Sequence, residues 1–132
     1  MGLFTRIFGI CETRLPGNGR SWEYSGNTVD IDLKQVPELL KPGGAIRLEG
    51  NGLPERLLVV HGNDDRFYAF RNRCTHRGRR VDPIAGTALI CCCSVSRSAF
   101  DYSGSVACGP ADGPLKSYKT EAEGDTLTLS LD

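Results

Sequence analysis

From Thr28 onward, apolar and polar residues alternate in short runs with the period of a β-strand rather than that of a helix. Val29, Ile31 and Leu33 alternate with polar neighbours, and Leu127, Leu129 and Leu131 do so against Thr128 and Ser130 near the end of the chain. Both patterns predict half-buried antiparallel strands. Between them, Ala45 to Glu49, Leu57 to His61, Phe67 to Phe70, Ala88 to Cys92, Ser98 to Tyr102, Ser105 to Ala107 and Ser117 to Ala122 read as further strands. Gly62-Asn63-Asp64-Asp65 is a hairpin turn, and Val36 to Leu40 suits one helical turn or a loop. Glycine and proline punctuate the remainder, with no long helical pattern, repeat or low-complexity tract. The pattern predicts an all-β fold, an antiparallel β-sandwich or small barrel.

The first 27 residues read differently. Leu3, Phe4, Ile7 and Phe8 share one face of a short helix with Arg6 on another side, and that face is expected to dock on the protein's own surface. Pro16-Gly17-Asn18-Gly19 then breaks the segment. We expect an N-terminal extension over residues 1–27 and a single domain over 28–132, a length that supports its own core. The apolar run is far shorter than the ~20 residues a membrane span needs. Arg6 interrupts it and no small-residue cleavage site follows, so the expectation is a cytoplasmic chain with no transmembrane segment. With 16 basic and 16 acidic residues the net charge is zero, which leaves no global field to attract nucleic acid.

Chemistry concentrates between Arg71 and Asp101. Four of the six cysteines, Cys74, Cys91, Cys92 and Cys93, lie there with His76, one of two histidines. Thiolate and imidazole are metal ligands, and in a reducing compartment a disulfide framework is not the expected use of cysteine. Cys91 and Cys92 end an apolar strand and also suit the role of small buried hydrophobes; Cys108 is expected to pack, and His61 to be structural or exposed.

Cys74-Thr75-His76, sixteen residues, then Cys93-Ser94-Val95-Ser96 closely resembles the Rieske family, whose final position is a second histidine. Phe100-Asp101, matching the strand that leaves the second box, puts Cys93 in the cysteine slot and Ser96 in the histidine slot. Arg77-Gly78 looks like the family's turn after the first box. Gly109-Pro110-Ala111 with Pro114-Leu115 and Tyr118 resembles its proline-containing covering loop. The resemblance implies a Rieske-like domain with two metal-binding loops at one end. It also implies a [2Fe–2S] cluster bound by Cys74, His76, Cys93 and a substitute fourth ligand, for which Ser96 is one candidate while Cys91, Cys92 or Cys108 would need a rearranged loop. The function implied is that of a soluble electron-transfer protein, or a component of an oxygenase or reductase system.

Two other readings compete: a cluster-free subunit or interaction module of the same fold, and a zinc or thiol-redox site. The absence of a Cys-x-x-Cys pair weakens the latter. No nucleotide fingerprint and no nucleophile with its base marks a self-contained enzyme. Arg71, Arg73, Arg77, Arg79 and Arg80 surround the first box, and Arg77, Arg79 and Arg80 would dock an acidic redox partner. The alternative is that these charges pair internally with Asp82, Asp101, Glu121, Glu123 and Asp125.

Overall fold

The computed structural model describes residues 13–75, 78–84, 86–92, 98–109 and 113–132. Among these, eleven strands form two antiparallel sheets. The larger contains β1 (Trp22–Ser25), β2 (Thr28–Asp32), β3 (Ala45–Leu48), β4 (Leu57–His61), β5 (Phe67–Arg71), β10 (Ser117–Glu123) and β11 (Thr126–Ser130). Its order is β1-β2-β11-β10-β5-β4-β3. The smaller runs β6-β7-β8-β9, from Val81–Pro83, Leu89–Cys92, Ala99–Asp101 and Val106–Cys108. The all-β antiparallel architecture expected from the period-two pattern is the one observed.

The larger sheet curls around an interior filled by alternate residues of its strands. Val29, Ile31, Ile46, Leu48, Leu57, Val59, Leu127 and Leu129 are fully buried in one cluster. Two 3-10 turns, Leu33–Gln35 and Pro37–Leu39, place Leu33, Val36 and Leu39 in the same cluster. Leu33 therefore leaves the strand that alternation assigned it to. The Asp32 carboxylate accepts from the Lys34 amide at 3.1 Å, capping the first turn where the strand ends.

The sheet begins earlier than Thr28. Trp22 pairs with Ile31 and is buried in the interior, and Arg47 donates its backbone N–H to the Arg14 carbonyl at 2.9 Å. The polar neighbours of Trp22 and the preceding Pro-Gly-Asn-Gly concealed that strand in the sequence.

β4 is buried along its whole length. Leu57 and Val59 face the curled interior, while Leu58 and Val60 enter a second cluster with Phe70, Cys74, Val81, Ile90, Cys92, Phe100 and Leu115. This second cluster joins the two sheets, and it contains the Cys74 and Cys92 thiols.

Candidate metal centre

Box one is a loop tied at its base. Cys74 donates its backbone N–H to the Arg79 carbonyl at 2.6 Å, and Gly78 donates to the Cys74 carbonyl at 2.8 Å. Gly78 takes φ +71°, a left-handed conformation that costs a side-chain-bearing residue more. Arg56, just before β4, donates from Nε to the Asn72 carbonyl at 3.2 Å and from Nη2 to the Gly78 carbonyl at 3.0 Å, so it holds both shoulders of the loop. Buried Asn72 accepts the Val81 amide at 2.7 Å through Oδ1, joining the loop to β6. Thr75 Oγ1 donates to the Gly113 carbonyl at 2.7 Å, linking it to the chain after the covering loop.

Box two grows from β7. Ile90 pairs with Phe100 and Cys91 with Ala99, and the Cys92 amide closes the pairing on the Ser98 carbonyl at 2.9 Å. Because strand side chains alternate, Ile90 and Cys92 share the face that enters the second cluster. Cys74 and Cys92 are 1% and 0% exposed, and their thiols are hydrogen-bonded to each other. That bond, and then burial, pushes the Cys92 thiol well above the ordinary cysteine range, with smaller contributions from the neighbouring Cys74 and Cys91. A bound cation reverses this preference by stabilising both thiolates.

The expected site is thus partly within the described residues. Cys74 is in place, whereas His76, Cys93 and Ser96 lie outside the described residues, as does Arg77. Among the described residues, no group of three or more His, Cys, Asp or Glu is placed to hold a metal ion. What the described part supplies is a buried, adjacent thiol pair, the donor set that suits the thiolate half of an iron–sulfur centre. Asn72 Nδ2, two residues before Cys74, and Ser98 Oγ, in the residue whose carbonyl accepts the Cys92 amide, are buried without a hydrogen-bond partner. Buried donors of this kind suit anionic sulfur, so the residues present fit such a group.

Around box one, Arg80 and Arg71 pair with Glu49 and Glu55, acids outside the set considered above. Arg80 grips Glu49 with both ends of its fork, at 2.7 and 2.8 Å, and Arg47 reaches the same carboxylate at 2.8 Å. The Arg80 hydrogen bond, opposed by burial and supplemented by Arg47, holds the Glu49 carboxyl down at about 2. Arg71 lies 3.4 Å from Glu55. Asp101 instead accepts from Ser103 and Ser105, and Asp125 pairs with Lys34. Arg80 is therefore committed to Glu49, which reduces its availability to a partner.

Arg56, Asn72 and Glu49 are the residues supporting box one that motif reading missed, because they depend on contacts between distant parts of the chain.

His61, by contrast, is a tie in the fold. It is buried at the far end of β4 from box one, bonded to the Leu39 carbonyl at 2.8 Å and the Asp65 carboxylate at 2.5 Å.

A family model for the Rieske [2Fe-2S] domain matches residues 31–119. No curated protein matches the chain. Among solved structures, the chain is similar to the ferredoxin of carbazole 1,9a-dioxygenase from Nocardioides aromaticivorans IC177 at 24% identity and a TM-score of 0.61, covering 76% of this chain and 93% of that one. It is also similar to the cyanobacterial plasma membrane Rieske protein PetC3 from Synechocystis PCC 6803 at 28% identity and a TM-score of 0.53, covering 64% and 85%. A quaternary ammonium Rieske monooxygenase shares 22% identity at a TM-score of 0.59, but the 85% of this chain that aligns spans only 31% of that one. Among the described residues, no helix is long and apolar enough to cross a membrane.

Proposed function

The chain belongs to the Rieske [2Fe-2S] domain family, and we propose that it is a one-electron carrier serving a larger oxygenase or reductase system. The observation that carries this reading is the buried contact between the Cys74 and Cys92 thiols at the junction of the two sheets. The match to nearly the full length of a dioxygenase ferredoxin, against under a third of a monooxygenase, supports a carrier rather than a self-contained enzyme. We place it in the cytoplasm, where free thiols such as Cys74, Cys91, Cys92 and Cys108 persist.

When bound, a [2Fe–2S] cluster supplies reversible one-electron chemistry. The sequence frame assigns its ligands as Cys74, His76, Cys93 and Ser96. The Cys74–Cys92 contact favours moving the second thiolate back one residue to Cys92, with Ser96 retained in the fourth place, and this is the assignment we carry forward. Around the thiols, Leu58, Val60, Phe70 and Phe100 exclude water, and Arg56 and Asn72 fix the first loop. An acidic partner would meet the basic rim through Arg77 and Arg79 more than through Arg80, whose charge Glu49 already neutralises.

Reversible redox titration of anaerobically purified protein, followed by visible absorption and electron paramagnetic resonance, tests the proposal. A one-electron bleaching with the spectrum of a reduced [2Fe–2S] centre is the expected result. Bound zinc without iron would favour the thiol-metal alternative, and a folded, metal-free, redox-silent protein would favour an interaction module. The same titration on Ser96→His sharpens the assignment. An imidazole leaves its iron less electron-rich than an anionic oxygen does, so the substitution should raise the potential by on the order of 100 mV or more. It should also add a second histidine-coupled ionisation; an unmoved potential would remove Ser96 from the ligand set.

A further inference from the structure

On the outer side of box one lies a cleft of about 420 Å³ into which Arg71, Arg73 and Lys116 converge, with Cys74 and Thr75 in its wall. Two backbone bonds create the convergence. Arg73 N–H bonds the Arg71 carbonyl at 2.8 Å in a tight turn, and Arg71 N–H bonds the Lys116 carbonyl at 2.8 Å. Of the three cations, Arg71 lies 3.4 Å from an acid, Glu55, which is not in the cleft wall. Among the described residues, neither Arg73 nor Lys116 has an ion-pair partner, and Arg71 Nε is buried without a hydrogen-bond partner. The Lys116 ammonium is held 5.3 Å over the Tyr118 ring rather than left to extend freely.

Like charges gathered in a concave wall repel one another and focus a positive potential. Guanidinium forks beside a lysine are the donor set for a multivalent oxyanion, whose binding offsets that repulsion. Cys92 does not line the cleft, which has Cys74 in common with the thiol pair. We propose that this cleft binds a small free oxyanion of the phosphate or dicarboxylate class, and that its occupancy tunes the redox potential of the adjacent centre. The second half rests on the proposed carrier function; the first does not. An anion in the cleft opposes an added electron next to Cys74, so it lowers the potential, and by reciprocity reduction weakens anion binding.

The test is calorimetric titration of the full chain with inorganic phosphate in a low-chloride buffer. Saturable binding at about one site per chain is expected, with an affinity that falls about tenfold or more in the Arg73→Gln, Lys116→Gln double variant, a loss of roughly 1.4 kcal/mol or more. Both residues are exposed, so the fold should tolerate the change, and Lys34→Gln, elsewhere on the surface, should bind as the parent does. Absence of saturable binding, or unchanged affinity in the double variant, overturns the site. In cluster-loaded protein, saturating phosphate should lower the midpoint potential of the parent and leave the double variant unmoved. A potential that does not respond in protein that binds phosphate overturns the coupling, whereas a cluster-free protein that still binds phosphate keeps the anion site and removes the carrier reading.

Discussion

The two sheets solve different problems with the same strand period. In the larger sheet, alternate residues of six strands fill one interior and every buried residue of that cluster is apolar. Each contact there is interchangeable in kind with its neighbours, as in any hydrophobic core. The smaller sheet has strands of three or four residues and shares its core with two thiols. Among the described residues, the three buried polar side-chain atoms without partners are Arg71 Nε, at the end of β5, Asn72 Nδ2, on the way from β5 to Cys74, and Ser98 Oγ, just before β8. An unpaired buried polar atom costs about 1–3 kcal/mol. A fold that tolerates them at one end and none elsewhere holds that end in readiness for something besides packing. The comparison separates a scaffold, where volume decides, from a site, where donor identity decides.

The largest expected effect comes from a substitution that preserves volume and removes the donor. Cys92→Val keeps an apolar residue of similar size in the second cluster, so folding should survive while iron binding is lost. Cys93→Ala should retain most of the iron. Metal analysis of the two purified variants checks this, and the opposite pattern would restore Cys93 to the ligand set and make Cys92 a core residue.

Next are two cavity substitutions, one in each region. Leu129→Ala in the larger interior should destabilise by about 2–5 kcal/mol, and Phe100→Ala at the junction by about 3–5 kcal/mol. Urea unfolding measures both. Only Phe100→Ala should also reduce iron bound per folded chain, because Phe100 packs in the cluster that contains Cys74 and Cys92. Equal iron loading in the two variants would mean that the junction does not shape the site.

The smallest effect probes the clamp between scaffold and site. Glu49, at the end of β3, ties Arg80 just before β6, and its side chain is 21% exposed. Glu49→Gln should cost about 1–2 kcal/mol at neutral pH, discounted for solvent screening. The folded carboxyl is held at about 2, below its ordinary 4.5. The contribution is therefore complete above the ordinary value and disappears as pH falls toward the folded one. Parent and variant stabilities should converge across that acid window, and parallel curves would show that the clamp is not what titrates.

The scaffold was the more legible region for a physical reason. A face buried against a uniform interior writes its period into the sequence, as Leu127, Leu129 and Leu131 do. β1 escaped because Trp22 and Tyr24 are only two apolar positions, too few to mark a period, and β6 because Val81-Asp82-Pro83 offers a single large apolar residue and ends in a proline. Box one, Cys74-Thr75-His76, is a local motif, of which the described residues place Cys74 and Thr75; box two, set on Cys93 and Ser96 by Phe100-Asp101, lies outside them. The Glu49–Arg80 clamp joins residues 31 positions apart, and nothing local in either segment announces it.

The central claim is that the junction of the sheets holds a [2Fe–2S] cluster through Cys74. Quantifying iron and acid-labile sulfide in anaerobically purified parent and Cys74→Ser proteins tests it directly. The account predicts about two of each per parent chain and almost none in the variant. A folded parent with neither iron nor sulfide, or a Cys74→Ser variant that keeps both, would contradict it.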